Sequence, residues 1–279
     1  MKISEINIYP IKSLKGISVK SALVEERGLQ FDRRWMLTDR EGMFLTQREF
    51  PKMATIAVAV ESGQLKVESD GHGVMNVPFE PDMGERGRVT VWNSVCEAEI
   101  YNGQVSEWFS DVLGTNCQLV YMPETSRRGV NPRFNLGDEV VSFADGYPLM
   151  VIGEGSLADL NSRLEEPLPM NRFRPNLVVS DIEAFAEDNW QKIRIGEAEF
   201  RSTKSCERCV ITTVEQSSGE FAGKEPLKTL ATYRMAKDIV PDRYEALGVG
   251  ANAVLFGQNL ITETPGATIN VGDEIVVLN

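Results

Sequence analysis

Histidine is almost absent from this sequence of 279 residues, since His72 is its only one. A single histidine excludes metal sites built from several imidazoles and argues against a catalytic triad, which needs a histidine beside its nucleophile. His72 itself stands in the run Asp70-Gly71-His72-Gly73, which is typical of a solvated turn. We therefore look for chemistry that does not depend on histidine.

Cysteines and long apolar runs are also scarce. Four cysteines in a chain of this length, with no apolar segment of the signal-peptide type at the N-terminus, do not indicate a disulfide scaffold. No uninterrupted apolar run approaches the roughly 18 residues that a membrane helix needs. The sequence therefore predicts a cytoplasmic protein that does not associate with membranes.

Positive charge is in deficit, because 29 Lys and Arg residues stand against 41 Asp and Glu residues and the formal net charge is −12. Such a chain repels nucleic acids and anionic membrane surfaces at long range, and it favours a partner protein with a basic surface. Its 42% of hydrophobic residues is ordinary for a folded protein. The length suits one large domain or two small ones.

The apolar pattern predicts a mostly β protein with some helix, of the α+β class. Short apolar segments separated by turn residues fill the first hundred positions, and residues 89–101 have the pattern of a hairpin. Residues 105–113 carry an apolar stripe at helical spacing, and Gly114 is well placed to end that helix.

The second half of the chain has fewer clear elements. Residues 123–138 are polar and rich in turn residues, so we predict a long loop, and loops of this length are often functional. A helix is predicted from Ser156, because Asp159 follows at capping-box spacing. Strands are predicted at 193–201 and 209–214.

The sharpest local motif is Cys206-Glu207-Arg208-Cys209, which a β-branched run follows. A zinc site needs about four ligands, and neither Cys96 nor Cys117 has paired spacing. A thioredoxin-type dithiol would open a helix, whereas the β-branched run favours a strand. Two interpretations stay open: a pair of buried structural thiols, or a single thiolate that binds a thiophilic metal from a rigid strand.

Cationic residues stand next to apolar ones at three places, which are Lys12-Ser13, Arg33-Arg34 and Arg174. Taken singly, each is best interpreted as ordinary surface charge. Taken together in an acidic chain they indicate one anionic ligand, because the Arg fork binds phosphate bidentately and Lys adds a point charge.

These motifs, in this order, resemble the MOSC-domain proteins that carry an N-terminal MOSC β-barrel domain, the group of the mitochondrial amidoxime-reducing component and bacterial YcbX. The segment 143–148 is more similar to the YcbX branch. Many YcbX proteins continue into a ferredoxin-like domain, which we do not expect here, and the cysteines lack the spacing of an iron–sulfur cluster. The resemblance covers essentially the whole chain and rests on residues 9–16, 31–35, 142–148, 156–160, 173–176, 206–213, 225–230, 256–259 and 271–273.

The resemblance implies two lobes, an N-terminal MOSC β-barrel domain at 1–120 and a MOSC domain at 121–279, with a pyranopterin molybdenum cofactor between them. It implies that Cys209 is the thiolate ligand of the metal and that Cys209 and Asp145 are the catalytic residues. The positions that match the family's cofactor-binding residues are Lys12, Ser13, Arg33, Gly146, Tyr147, Arg174, Asn176 and Arg208.

The implied activity is the two-electron reduction of N-hydroxylated compounds such as amidoximes, hydroxylamines and N-hydroxylated base analogues. Electrons would come from a separate reductase protein, because no flavin or cluster motif is present. Two alternatives remain. One is a sulfur-carrier or cofactor-carrier module that uses a persulfide on Cys206 or Cys209, and the other is a non-enzymatic acidic interaction protein with structural thiols.

Overall fold

The computed structural model describes residues 1–82, 84–101 and 103–278. Within these ranges the chain forms twenty strands: β1 (Lys2–Ile8), β2 (Ile17–Val19), β3 (Ser21–Glu25), β4 (Gly28–Leu29), β5 (Trp35–Thr38), β6 (Ala57–Glu61), β7 (Gln64–Ser69), β8 (Gly73–Pro78), β9 (Glu85–Val91), β10 (Ser94–Ile100), β11 (Gln118–Tyr121), β12 (Leu149–Gly153), β13 (Leu177–Ser180), β14 (Lys192–Ile195), β15 (Ala198–Glu207), β16 (Val214–Glu215), β17 (Glu220–Phe221), β18 (Leu255–Thr262), β19 (Thr268–Asn270) and β20 (Ile275–Leu278).

Helices are few and short. The same described ranges contain four α-helices: α1 (Gly103–Leu113), α2 (Glu154–Asn161), α3 (Leu227–Leu230) and α4 (Ala236–Ile239). They also contain four 3-10 helices: Pro51–Thr55, Met170–Arg172, Ala186–Asn189 and Val210–Thr213. The prediction of a mostly β protein with some helix is confirmed. No helix in the described part of the chain has the length and apolar content needed to cross a bilayer.

The largest sheet has eight strands in the order β2-β1-β13-β12-β18-β15-β14-β20. A second sheet of four strands, β5-β11-β10-β9, belongs to the N-terminal half. In the residues that the structure describes, neither sheet is closed by continuous strand pairing. An isolated bridge nevertheless joins Lys2 of β1 to Glu274 beside β20, so the large sheet curls towards a barrel-like shape. The predicted hairpin at 89–101 is confirmed as β9 and β10, and α1 confirms the predicted helix and its end before Gly114.

Strand pairing brings distant segments to one end of the large sheet. β1 runs antiparallel to β13, with Ile6 opposite Leu177, so the segment after β1 meets the segment before β13. β12 runs parallel to β13, with Val151 opposite Leu177, so the loop before β12 reaches the same end. Since β1 joins the sheet of the C-terminal half, the division of the chain at residue 120 stays a prediction.

Two buried apolar clusters contain the inward-facing side chains of these sheets. The first packs Trp35 and Leu119 of the four-stranded sheet against Phe109 of α1. The second packs Ile6 of β1 against Leu177 of β13, with neighbouring strands of the large sheet around them. Helix α1 therefore buries the stripe that its sequence predicted, because only that face is apolar.

The predicted helix near Ser156 is confirmed as α2, but the capping role expected of Ser156 is wrong. Helix α2 begins at Glu154, so Ser156 lies inside its first turn and makes no cap. The Ser156 hydroxyl instead donates to Glu187 Oε1 at 2.7 Å and accepts from the Phe185 backbone N–H at 2.8 Å. The Ser156 hydroxyl, which the sequence pattern assigned to a helix cap, is therefore bonded to residues outside the helix.

The predicted strand at 209–214 is also wrong over most of its length. Strand β15 ends at Glu207, and Val210–Thr213 form a 3-10 helix. The Thr212 hydroxyl donates to the Cys209 carbonyl at 2.9 Å, and the Thr213 hydroxyl donates to the Val210 carbonyl at 2.8 Å. These local bonds satisfy the backbone without a neighbouring strand, which a β-branched pattern does not reveal.

Candidate functional site

A cavity of about 150 Å³ opens at the end of the large sheet where these segments meet. The structure brings together on its wall every residue that the sequence analysis assigned to the site: Lys12, Ser13, Arg33, Asp145, Gly146, Tyr147, Arg174, Asn176, Arg208 and Cys209. Their shared position is an observation, whereas the binding and catalytic roles of these ten residues stay predictions.

Lys12 is held by the backbone of two segments. Its own N–H donates to the Trp35 carbonyl at 2.8 Å, and its ammonium group donates to the Phe143 carbonyl at 2.7 Å and to the Asp145 carboxylate. The side chain is almost fully buried, and burial lowers the pKa of Lys12 to about 8 against the opposing attraction of Asp145. Lys12 is thus a cation whose charge is sensitive to pH near neutrality.

Asp145 faces the open side of the cavity, where about half of its side chain (54%) remains exposed. Packing around the carboxyl group raises its pKa, but the adjacent Lys12 and Arg48 lower it by more, so the pKa lies well below its usual range. Asp145 is therefore a carboxylate at neutral pH. It can accept hydrogen bonds from donors, and it is neither a source of protons nor a strong base.

The loop that carries Asp145 is supported by Arg128, which the sequence analysis did not single out. The buried Arg128 guanidinium donates to the Ser142 carbonyl at 2.7 Å, to the Ala144 carbonyl at 2.6 Å and to the Asp145 carbonyl at 3.0 Å. Three carbonyl partners on one side chain fix the loop rigidly, as a pre-organised site requires.

Arg33 is oriented by two buried neighbours. Its Nη1 donates to both carboxylate oxygens of Asp32, at 2.8 and 2.7 Å, and to the Asn176 side-chain oxygen at 3.1 Å. The Asn176 oxygen also accepts from the Met150 N–H at 3.2 Å, and its amide nitrogen donates to the Asn7 carbonyl at 3.1 Å. The side-chain amide of Asn176 thus links Arg33 to the backbone of β1 and β12 in the large sheet.

The ring of Tyr9 packs with two arginines of the site. The guanidinium carbons of Arg33 and Arg174 each lie 4.2 Å from its centre, and the Tyr9 hydroxyl donates to the Pro175 carbonyl at 3.0 Å. Burial raises the pKa of Tyr9 to about 12, and burial lowers the pKa of Arg174 to about 10. Both guanidinium groups are therefore held against the same ring at the cavity wall.

The two cysteines of the motif lie on the same wall but in different surroundings. Cys209 is the N-cap of the 3-10 helix, and its Sγ accepts from Arg48 Nη2 at 3.2 Å. Cys206 Sγ accepts from Arg208 Nη1 at 3.1 Å, and burial raises the pKa of its thiol against the attraction of Arg208. The interpretation as two buried structural thiols does not describe them, because both thiols line a cavity and both are only partly buried.

Arg48 is a residue of the cavity wall that the sequence did not reveal. It contacts Cys209 Sγ, lies 3.5 Å from Asp145 Oδ2, and packs 4.6 Å from the ring centre of Trp92. No motif surrounds it in the sequence. The one available signal was that Arg48 lies shortly after the apolar segment 43–45, since Lys12 and Arg174 also stand next to apolar residues.

Gly146 and Tyr147 shape the wall differently. A Cβ on Gly146 would meet no atom within 4 Å, so this glycine leaves open space at the cavity. The ring of Tyr147 packs edge-on against Phe134, with 5.8 Å between centres, and burial raises the pKa of its hydroxyl.

Cations outnumber carboxylates on the cavity wall, although Arg33 and Arg172 are also paired with Asp32 and Glu215. Six cations line it, namely Lys12, Arg33, Arg48, Arg172, Arg174 and Arg208, and only Asp145 and Glu207 oppose them. Among the described residues, Arg208 Nε is buried without a hydrogen-bond partner. A free donor and a surplus of cations fit an anionic ligand.

The donor set also fits a metal that brings further ligands with it. In the described ranges, no three His, Cys, Asp or Glu side chains cluster as a protein-only metal site requires. Cysteine sulfurs beside a cluster of cations fit a cofactor that carries both a thiophilic metal and a phosphate. The residues present are therefore suited to a molybdenum–pterin group.

Comparison with known proteins agrees with this geometry. A sequence profile of the MOSC N-terminal beta barrel domain matches residues 1–116, and a profile of the MOSC domain matches residues 138–276. The chain is 32% identical to mitochondrial amidoxime reducing component 2 of Rattus norvegicus over 284 residues, which cover 98% of this chain and 82% of that protein. It is 31% identical to the human mitochondrial amidoxime-reducing component 1 over 286 residues, with coverages of 99% and 82%.

A relative with a different name also matches. The chain is 36% identical to the molybdenum cofactor sulfurase of Oryza sativa over 282 residues, which cover 92% of this chain but only 34% of that protein.

The predicted cytoplasmic location is wrong by this comparison, because the amidoxime-reducing relatives are named as mitochondrial proteins. The prediction failed because the lack of a secretory-type apolar segment excludes one export route and does not identify a compartment.

Proposed function

Since the chain belongs to the family of proteins with an N-terminal MOSC β-barrel domain and a MOSC domain, we propose that it is a molybdenum-cofactor-dependent reductase of N-hydroxylated compounds. The observation that carries the proposal is the single cavity in which Cys209 and the cations from distant segments converge. Relatives named as amidoxime-reducing components, matched over nearly the whole chain, support this substrate class, with hydroxylamines and N-hydroxylated base analogues as further candidates.

In this proposal Cys209 holds the metal through its sulfur, while Lys12, Ser13, Arg33, Arg174 and Arg208 hold the phosphate and the pterin. The bound cofactor supplies two-electron redox chemistry at molybdenum. Each charge-assisted contact to the phosphate should contribute about 1.5–3 kcal/mol to its retention.

The other residues orient the reacting groups. Arg48 donates to Cys209 Sγ and so keeps this sulfur directed into the cavity. The Asp145 carboxylate, between Lys12 and Arg48, is placed to accept a hydrogen bond from the N–H or O–H of a substrate. Reduction of an N–OH group to N–H releases water and consumes two protons, which solvent can deliver because Asp145 lies on the open side.

A sulfur carrier is the second candidate, and two observations favour it. One relative is named a molybdenum cofactor sulfurase, and the Cys206 thiol lines the same cavity as Cys209, where Arg208 contacts its sulfur. In that case one of the two thiolates would accept the outer sulfur of a persulfide on a donor protein, which leaves as a thiolate, and no metal would be held permanently.

Elemental and pterin analysis distinguishes the two candidates. The protein is produced in a host that makes the cofactor, as wild type and as the matched variants Cys209→Ala and Cys206→Ala. The reductase proposal predicts about one molybdenum per chain, loss of metal and of amidoxime reduction in Cys209→Ala, and retention of most of both in Cys206→Ala. Equal losses in both variants, or a persulfide without metal in the wild type, would support the sulfur carrier.

Electron supply is tested separately. We propose that a separate reductase protein delivers the electrons, because Cys96 and Cys117 lie in the apolar core, away from the cavity cysteines, and cannot form a cluster with them. The isolated chain should not oxidise NADPH in the presence of an amidoxime, whereas a low-potential dye should support turnover. With a basic donor protein the rate should fall as salt increases, because the net charge is −12. NADPH-driven turnover by the chain alone would refute the need for a donor.

A further inference from the structure

Strained backbone concentrates at the cavity. In the described part of the chain, seven residues other than glycine have a φ in the left-handed region: Ser13, Phe31, Arg33, Trp92, Arg174, Asp181 and Phe185. Three of them, Ser13, Arg33 and Arg174, line the cavity. Such conformations are costly and persist mainly where function requires them, which draws attention to the bulkiest member of the set, Trp92.

Trp92 occupies a position that suits glycine. Strands β9 and β10 pair up to Val91 and Ser94, so Trp92 and Asn93 form a two-residue hairpin turn. The φ of Trp92 is 55°. Tight hairpin turns of this kind favour Gly, Asn or Asp at positions with positive φ. A tryptophan here is unfavourable for the turn itself.

The side chain does not compensate by joining the core, because 46% of Trp92 is exposed. The ring contacts Phe44 at 5.2 Å between centres, and the Arg48 guanidinium lies 4.6 Å from its centre. Arg48 in turn contacts Cys209 Sγ and Asp145. An exposed aromatic ring therefore packs on Arg48, a residue of the cavity wall, one side chain away from Cys209 Sγ. We call this position of Trp92 beside Arg48 the rim of the cavity.

We propose that Trp92 is a specificity-determining residue, on whose exposed ring a flat aromatic N-hydroxylated substrate stacks while its N–OH group enters the cavity. This inference rests on the proposed function. Offset stacking of two aromatic rings favours such substrates over aliphatic ones. The exposed half of the Asp145 carboxylate lies within reach of the same rim and accepts a hydrogen bond from the amidoxime.

Binding without turnover tests the platform independently of catalysis. The cofactor-loaded protein, with no electron donor, is titrated calorimetrically with benzamidoxime and with acetamidoxime, which share the reacting group and differ in the ring. Trp92→Gly removes the ring and suits the backbone, so the fold should be retained. Trp92→Asn serves as a second variant that tolerates positive φ, and Trp108→Phe on α1 controls for the loss of a remote tryptophan.

We expect the Kd of benzamidoxime to rise about tenfold in Trp92→Gly and Trp92→Asn, as the loss of one stacked ring pair implies. It should not change in Trp108→Phe, and Trp92→Phe should retain most of the affinity. The Kd of acetamidoxime should be the same in all variants. Equal binding of the two amidoximes by the wild type, or an unchanged Kd for benzamidoxime in Trp92→Gly, would overturn the proposal.

Steady-state reduction separates this proposal from the one on which it rests. With an artificial electron donor, Trp92→Gly should raise KM for benzamidoxime about tenfold, leave kcat nearly unchanged, and leave both constants unchanged for acetamidoxime. If neither compound is reduced but the binding difference is found, the reductase proposal fails and the platform stands. If both are reduced and the ratio of their kcat/KM values is the same in wild type and variant, the platform fails and the reductase stands.

Discussion

Anion binding in the cavity should depend on pH through Lys12. Burial lowers the pKa of this ammonium group to about 8, although Asp145 opposes the shift. A bound anion stabilises the protonated form and raises that pKa, so above about pH 8 the complex holds more protons than the free protein. By linkage, affinity for an anion must fall as the pH rises through this range.

The size of the effect follows from a single contact. A hydrogen bond between charged partners contributes about 1.5–3 kcal/mol, which corresponds to a change of roughly 10- to 150-fold in affinity. Complete loss of the Lys12 proton should weaken anion binding by that factor. The variant Lys12→Met should show the same loss already at neutral pH and no further decrease above it.

Calorimetric titration with sulfate measures this directly, because the charge on sulfate is constant between about pH 6.5 and 9.5. A Cys209→Ser background removes the Cys209 thiol from the cavity wall, so that Lys12 is tested without it. The Arg174 guanidinium, with a pKa of about 10, stays largely protonated over most of the range.

Lys12→Arg is the matched control, since it retains a cation that does not titrate in this range. Its sulfate affinity should be independent of pH. If Lys12→Arg shows the same pH slope as the wild type, or if the wild type shows none, then Lys12 is not the titrating group that holds the anion.

Four further predictions follow from particular contacts. Arg48→Met should lower the molybdenum content of the isolated protein several-fold, because Cys209 Sγ loses its hydrogen-bond donor and Asp145 loses a neighbouring cation. A full metal content by elemental analysis would contradict the role of Arg48. Asp32→Asn should lower the free energy of unfolding by about 3–5 kcal/mol in urea titrations, because Asp32 is fully buried and pairs with Arg33, whereas the exposed Asp70→Asn should have little effect. Burial raises the pKa of Glu187, so the folded state binds its proton more tightly than the unfolded chain does. The free energy of unfolding should therefore fall as the pH rises from the unfolded pKa through the folded one. Glu187→Gln should abolish this part of the pH dependence of stability, and an identical pH dependence in the variant would refute the assignment. Gly155→Ala should destabilise the fold by about 1–3 kcal/mol, because its Cβ would lie 2.2 Å from the Ile182 carbonyl oxygen, whereas Gly146→Ala meets nothing and should unfold like the wild type.

The apolar pattern was sufficient where an element buries one face by itself. Helix α1 and the β9–β10 hairpin follow from the spacing of a few side chains, since their packing faces are continuous in sequence. The pattern failed at Val210–Thr213, where threonine hydroxyls bond locally to the backbone. Whether a β-branched run pairs with another strand depends on whether a neighbouring strand is available, and a neighbour is a property of the whole fold.

For the site, too, local sequence revealed the residue types, whereas their convergence depends on the tertiary structure. The Cys206–Cys209 motif and the cations beside apolar residues were visible as residue types at fixed local spacing, and the resemblance of these segments to one family assigned them a common ligand. Their convergence depends on β1 pairing with β13, and on β12 lying beside β13, which no local pattern contains.

The sequence by itself therefore determined which side chains carry charge and sulfur, and it determined the elements whose apolar face is continuous in sequence, such as α1 and the β9–β10 hairpin. Only the tertiary structure decided that Arg48 reaches Cys209 across 161 positions of the chain, that Arg128 fixes the Asp145 loop, and that Trp92 stands at the rim. The physical reason is the distance along the chain over which each interaction acts. Backbone preference and apolar periodicity act over a few residues, whereas a guanidinium contact of about 3 Å has no sequence signature until the sheets have brought its two ends together.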